Sequence, residues 1–147
     1  LLSERDDVSV VMLGDDRGQE FEAHPDFLKI GMGWGVRKAM TFCQLASVVI
    51  GEETGLLNAV AFEKMVRKVV LLTHSSEENL TRDWPNTVAL HGDVPCFPCH
   101  RLHYNLEYCK PEKHENGTEY AACQMAISVD AAMVAVQLGL QGEALAA

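Results

Sequence analysis

The chain has 147 residues, 48% apolar and 22% charged, the length and make-up of one ordinary domain with a hydrophobic core. Its formal net charge is −9 and its 12 Lys and Arg are scattered rather than clustered, which argues against nucleic acid as a partner because no basic face is available for phosphates. No apolar run reaches the roughly 20 residues needed to cross a bilayer, and Leu1-Leu2-Ser3-Glu4-Arg5-Asp6-Asp7 lacks a signal-peptide core, so the expectation is a cytoplasmic protein without a transmembrane segment. The chain starts without Met and runs almost directly into a strand, as a fragment or processed piece would.

The first strand is expected over residues 8–13, a β-branched run stopped by Gly14-Asp15-Asp16; its near-continuous hydrophobicity suits a parallel sheet covered on both faces. A polar stretch through His24 has room for a short helix, and Phe27-Leu28-Lys29-Ile30 reads as a second strand closed by Gly31-Met32-Gly33-Trp34-Gly35. From Val36 to Ala46 the apolar positions Val36, Ala39, Met40, Cys43, Leu45 and Ala46 recur near helical spacing and predict one buried face. Ser47-Val48-Val49-Ile50 is a short buried strand, Gly51-Glu52-Glu53-Thr54-Gly55 a turn, and residues 55–66 a helix with Leu56, Leu57, Val60, Ala61 and Met65 toward the sheet. Val69-Val70-Leu71-Leu72-Thr73 is the next strand, residues 74–85 a polar loop, and Thr87-Val88-Ala89-Leu90 one more strand. An irregular Cys-rich segment occupies about 91–126. Ser128 then caps a last helix, about 128–139, that buries Ala132, Met133, Val136 and Leu140 and frays at Gly139. Strands alternating with helices predict an α/β fold, a Rossmann-like parallel sheet flanked by helices, over a single domain 1–147. The sequons at Asn79 and Asn116 read as chance occurrences in loops.

A buried strand that ends in a Gly-containing turn and feeds a helix points free backbone N–H groups out of the carboxyl edge of the sheet, where unpaired donors and the helix dipole favour phosphate oxygens. Thr54, Gly55 and Leu56 occupy that position. The plainer alternative is a βα turn that prefers Gly and Thr without holding any ligand.

The stretch Val49-Ile50-Gly51-Glu52-Glu53-Thr54-Gly55-Leu56-Leu57-Asn58-Ala59-Val60-Ala61 resembles the Gly-x-Asp-Thr-Gly-Leu-Ser-His-x-x-Ala-Ala motif of glycosyltransferase family 9, the ADP-heptose:lipopolysaccharide heptosyltransferases. Trp84-Pro85-Asn86-Thr87-Val88-Ala89-Leu90-His91-Gly92-Asp93-Val94-Pro95-Cys96-Phe97-Pro98-Cys99 is similar to a second segment of that family, and Cys123-Gln124-Met125-Ala126-Ile127-Ser128-Val129-Asp130 to a third, in the same order. The resemblance implies the C-terminal, donor-binding half of a GT-B fold. It also implies that Glu53, Thr54, Gly55, Leu56 and Asn58 contact a nucleotide-sugar such as an ADP-sugar, and that no metal is required for transfer. Glu53 stands where the family usually has Asp, and Asn58 where it commonly has His, so position 58 keeps a hydrogen-bond donor and loses a group able to become cationic. An N-terminal domain that binds the acceptor and supplies the general base is missing from this sequence, so the resemblance implies no catalytic residue here. Glu20 and Glu22 are candidates for a nucleotide ribose, with a solvated acidic surface as the alternative.

Cys96, Cys99, Cys109 and Cys123 offer one Cys-x2-Cys pair and two distant thiols. The close pair suits tetrahedral zinc, which would be structural; disulfides and plain buried thiols are the competing readings. His100, His103 and His114 are solvated side chains or substitute ligands. Three functions stay open on sequence: a donor-binding glycosyltransferase domain, a degenerate non-catalytic nucleotide-binding or interaction module, and a zinc-stapled domain without a ligand.

Overall fold

The computed structural model describes residues 5–14, 27–101, 109, 111–115 and 117–142. The expected helix before His24, together with Glu20, Glu22 and His103, lies outside them. The chain divides into two compact units, Leu1–Phe42 and Cys43–Ala147.

In the first unit, β1 (Val10–Gly14) pairs in parallel with β2 (Phe27–Met32), and the register slips between Val11 and Leu13. Helix α1 (Val36–Leu45) follows, and the unit boundary falls inside it. Trp34 meets Phe42 edge to face at 5.3 Å, and Lys38 lays its ammonium 3.9 Å over the Trp34 ring. Ala39 and Cys43 are buried as expected, but Val36 and Leu45 are 71% and 81% exposed. Helical geometry explains Leu45, which lies two residues and therefore about 200° around the axis from Cys43.

The second unit is built on a parallel sheet with strand order β3-β4-β5: β3 (Val48–Glu52), β4 (Arg67–Leu72) and β5 (Thr87–His91). Strand β4 is central and buried almost throughout, so its run Val69-Val70-Leu71-Leu72 reads as continuous apolar sequence. Register separates the two faces. Gly51, Val70 and Ala89 are paired neighbours, and on their side Leu57, Val70 and Leu72 form a core with Val49, Leu80, Trp84, Ala89 and Phe97 around it. The opposite side, carrying Val48 and Arg67, receives helix α5 (Val129–Leu140). The sheet is therefore flanked by helices, an α/β arrangement consistent with a Rossmann-like fold.

Helix α2 is shorter than predicted. It spans Gly55–Ala59 and passes into tight turns, with Val60 N–H donating to Leu57 O and Glu63 N–H to Val60 O. The residues beyond Ala59 include β-branched Val60 and aromatic Phe62, both weak helix formers. Val60 and Ala61 are still buried, but the unwinding turns Met65 outward, 91% exposed, against the expectation that it faces the sheet.

Helix α3 (Glu77–Leu80) interrupts the segment expected to be loop. Ser76 caps it by accepting from Asn79 N–H at 3.3 Å, Glu77 and Glu78 fill the first turn, and Arg82 reaches back to Glu78 at 2.7 Å. Asn79 thus sits on a helix, and Thr81 of the same sequon is buried.

The Cys-rich segment holds regular structure as well. A hairpin of β6 (Pro111–Lys113) and β7 (Glu119–Ala121) leads into α4 (Ala122–Met125). Ser128 caps α5 as predicted, accepting from Ala131 N–H at 3.2 Å. Ala135 joins Val136 as a buried residue of that helix, whereas Ala132, Met133 and Leu140 are only partly covered. Gly139 is no fraying point: a Cβ there would lie 2.7 Å from Arg67 Cγ and 2.9 Å from Val48 Cγ2, so glycine is what lets α5 approach the sheet. Among the described residues no helix is long and apolar enough to cross a membrane.

Candidate functional site

In a parallel sheet the carboxyl ends of the strands share one edge, and here that edge gathers Glu52 at the end of β3 and Glu53 after it, Thr73, His74 and Ser75 after β4, and His91 and Gly92 at the end of β5. It is the edge on which open α/β sheets bind ligands. Each sequence-predicted residue of the β3–α2 turn is found there, but their roles differ.

Glu53 is the best anchored. Its side chain is only 5% exposed, and one carboxylate oxygen, Oε2, accepts from Thr73 N–H at 3.2 Å, Thr73 Oγ1 at 3.1 Å and His74 N–H at 3.1 Å. The same oxygen meets His74 Nδ1 at 2.5 Å, and Oε1 accepts from Ser75 N–H at 2.7 Å. The carboxylate thus ties the end of β3 to the turn after β4. Burial by itself pushes the Glu53 carboxyl up, but the hydrogen bonds from Ser75, His74 and Thr73 together outweigh it and hold the group below its ordinary range. A carboxylate this well satisfied organises the edge from within.

Thr54, Gly55 and Asn58 are exposed, and Leu56 is half-buried. Thr54 takes the N-cap position of α2 with its N–H on Glu52 O at 2.7 Å, and its hydroxyl makes no capping bond, so that oxygen remains available at the surface. No atom lies within 4 Å of where a Gly55 Cβ would stand, so the space above the turn is open. Asn58 donates through Nδ2 to Thr54 O at 3.0 Å, one helical turn back, which leaves its second N–H and its Oδ1 at the exposed surface.

Other side chains frame the edge that sequence reasoning missed. Gln124, on α4, donates to Glu52 Oε1 at 3.1 Å and accepts from Ala121 N–H at 3.3 Å. His91 stacks on Phe97, ring centroids 4.6 Å apart and nearly parallel, while His100 N–H donates to His74 O at 2.8 Å and ties the Cys-rich segment to the β4 turn. Gly92 packs against α4 so closely that a Cβ would lie 2.7 Å from Cys123 O. No local pattern signals these contacts; Gln124 and Glu52 are 72 residues apart.

The cysteines are present as thiols: Cys96 exposed, Cys99 and Cys109 intermediate, Cys43 and Cys123 buried. Burial pushes the Cys109 thiol up, and neighbouring Cys99 and Cys96 add to the effect. Cys123 is likewise raised first by burial, then by Cys109 and Cys96. Among the described residues, however, no three His, Cys, Asp or Glu side chains stand in an arrangement that could hold a metal ion.

The chain matches no protein-family model, no curated protein and no solved structure.

Proposed function

We propose that this chain is the donor-binding domain of a glycosyltransferase of the family 9 type, holding the diphosphate of a nucleotide-sugar, such as an ADP-sugar, at the turn after β3. The observation that carries the reading is the open, exposed Thr54-Gly55 turn at the carboxyl edge of a parallel sheet, within the stretch that resembles the family motif. In this reading the amides at Gly55 and Leu56 and the Thr54 hydroxyl meet phosphate oxygens, and stabilising the leaving diphosphate is this domain's share of the chemistry. Glu53 serves by fixing the turn, and Asn58 by closing it on Thr54 O. Acceptor binding and the general base belong to a partner domain, so the chain alone is not catalytically complete. Transfer requires no metal in this reading; a zinc ion on Cys96, Cys99, Cys109 and Cys123 would be structural and would pin the Cys-rich segment.

Calorimetric titration with ADP and with an ADP-sugar tests the proposal. Heat and a thermal shift are expected with both, and more tightly with the ADP-sugar; no response to any nucleotide overturns it. Gly55→Asp provides the specific control, because an added carboxylate suits the start of a helix and meets no protein atom, yet repels a diphosphate. This variant is expected to keep its Tm and lose nucleotide binding.

A nucleotide-binding or interaction module without transfer activity is the second reading. The internal use of Glu53 favours it, since its carboxylate is not left to read a sugar. Equal affinity for ADP and the ADP-sugar would decide for it.

A further inference from the structure

We infer that the stacked rings of His91 and Phe97 form a platform for the base of a nucleotide, with His91 as the residue on which the base lies. The inference rests on the donor-binding reading for the class of ligand and deepens it by naming where the base sits. Four observations support it. First, the two ring centroids are 4.6 Å apart at an interplanar angle of 9°, a face-to-face arrangement unlike the edge-to-face contact of Trp34 with Phe42. Second, the inner ring is rooted: Phe97 packs against the core of Leu57, Val70 and Leu72, and its N–H donates to Val94 O at 3.0 Å. Third, His91 is exposed although Phe97 covers one face of its ring. An exposed histidine is ordinarily free to turn in water, whereas this one is held in a fixed plane at the surface. Fourth, His91 ends β5 at the carboxyl edge, and alternation along the strand puts it on the same face as Ala89, the face that packs against α2.

Stacking requires a π face on each partner. Every nucleobase offers one, whereas a ribose or a phosphate does not, so the platform selects for the base and is tolerant of its identity. Strand β3 lies two strand spacings, about 10 Å, from β5, with the end of β4 between them. A ligand whose base rests on His91 therefore runs across the strand ends, as ligands of open α/β sheets do.

The probes are ADP, adenosine and ribose 5-phosphate, which separate the base from the phosphate. In the wild-type protein the His91 ring protons, followed by NMR, are expected to move upfield on titration with ADP and with adenosine, through the ring current of the stacked base, and to stay in place with ribose 5-phosphate. This readout needs no variant. By calorimetry His91→Ala is expected to bind ADP about tenfold more weakly than wild type. His91→Phe should restore the affinity, because stacking needs the plane of the ring and not its charge. ADP bound with the His91 resonances unmoved, ADP bound as tightly by His91→Ala as by wild type, or resonances that respond equally to ribose 5-phosphate each overturn the platform and leave the donor-binding reading standing. No binding of ADP or adenosine overturns both.

Discussion

Glu53 shows how one side chain can be read correctly for place and incompletely for role. The sequence puts a carboxylate just after a strand, at the carboxyl edge of the sheet; only the fold brings Thr73, His74 and Ser75, some twenty residues later, around it. Removing its charge leaves several buried donors weakly partnered, so Glu53→Gln is expected to cost about 2–3 kcal/mol at pH 7, measured by urea unfolding. The sign of the pH effect follows from its lowered folded pKa: the stabilisation is complete above the ordinary 4.5 and is lost as pH falls through the folded value. Wild type and variant should therefore converge in acid, and a gap that persists there would argue against the carboxylate as its source.

Lys68 works in the opposite range. It is fully buried at the start of β4, donates to Glu63 O at 2.7 Å, and burial pushes its ammonium from 10.5 down to about 8. The folded state thus releases a proton that the unfolded chain retains, so between about pH 8 and 10.5 this group makes stability rise with pH. The raised thiols of Cys43, Cys109 and Cys123 act with the opposite sign at alkaline pH, because the unfolded chain ionises them first. Comparison with Lys68→Met isolates the lysine. The stability of wild type relative to this variant should improve by a few kcal/mol, on the order of 3, from pH 8 to 10.5. A constant difference across that range would reject the effect.

At the scale of elements, local rules and packing sometimes agree and sometimes oppose. Ser128 and Ser76 cap the helices that follow them, as the chemistry of a hydroxyl before a helical run dictates. The Ser76-Glu77-Glu78 signal was as readable as that of Ser128, but a four-residue helix leaves too few residues for a period. Gly139 is the opposing case. Propensity alone says that Gly→Ala inside a helix stabilises by about 1 kcal/mol, whereas contact with Arg67 and Val48 leaves no room for a methyl group. Packing should win: Gly139→Ala is expected to destabilise by about 1–3 kcal/mol in chemical denaturation, and a stabilised variant would show that α5 can shift away from β4. Helix α2 likewise stops at Ala59 although its apolar spacing continues, since burial of Val60 and Ala61 is achieved as well by turns as by a helix.

At the scale of the molecule, covering the β3-β4-β5 sheet on both faces accounts for the apolar run of β4 and sets the carboxyl edge apart as the place where polar groups meet. The Cys-rich segment is held to that edge by His100 N–H on His74 O and by Gly92 against α4. If Cys96, Cys99, Cys109 and Cys123 bind zinc, purified protein should carry one equivalent, and chelation should lower Tm by about 10 °C. Substoichiometric zinc with four titratable thiols would reject the site.

What the sequence alone determined is what short-range chemistry controls: strands β1 to β5 from their apolar runs, the α/β class from alternation with helices, the N-cap of α5, and the position of Glu53, Thr54 and Gly55 after a strand. What only the tertiary structure decided depends on partners distant in the chain: the five contacts that enclose the Glu53 carboxylate, the burial of Arg67 and Lys68, the bond from Gln124 to Glu52, and the close approach of Gly139. The physical reason is that periodicity reports which side of an element is apolar, whereas a hydrogen bond or a steric contact depends on what the folded chain places opposite it.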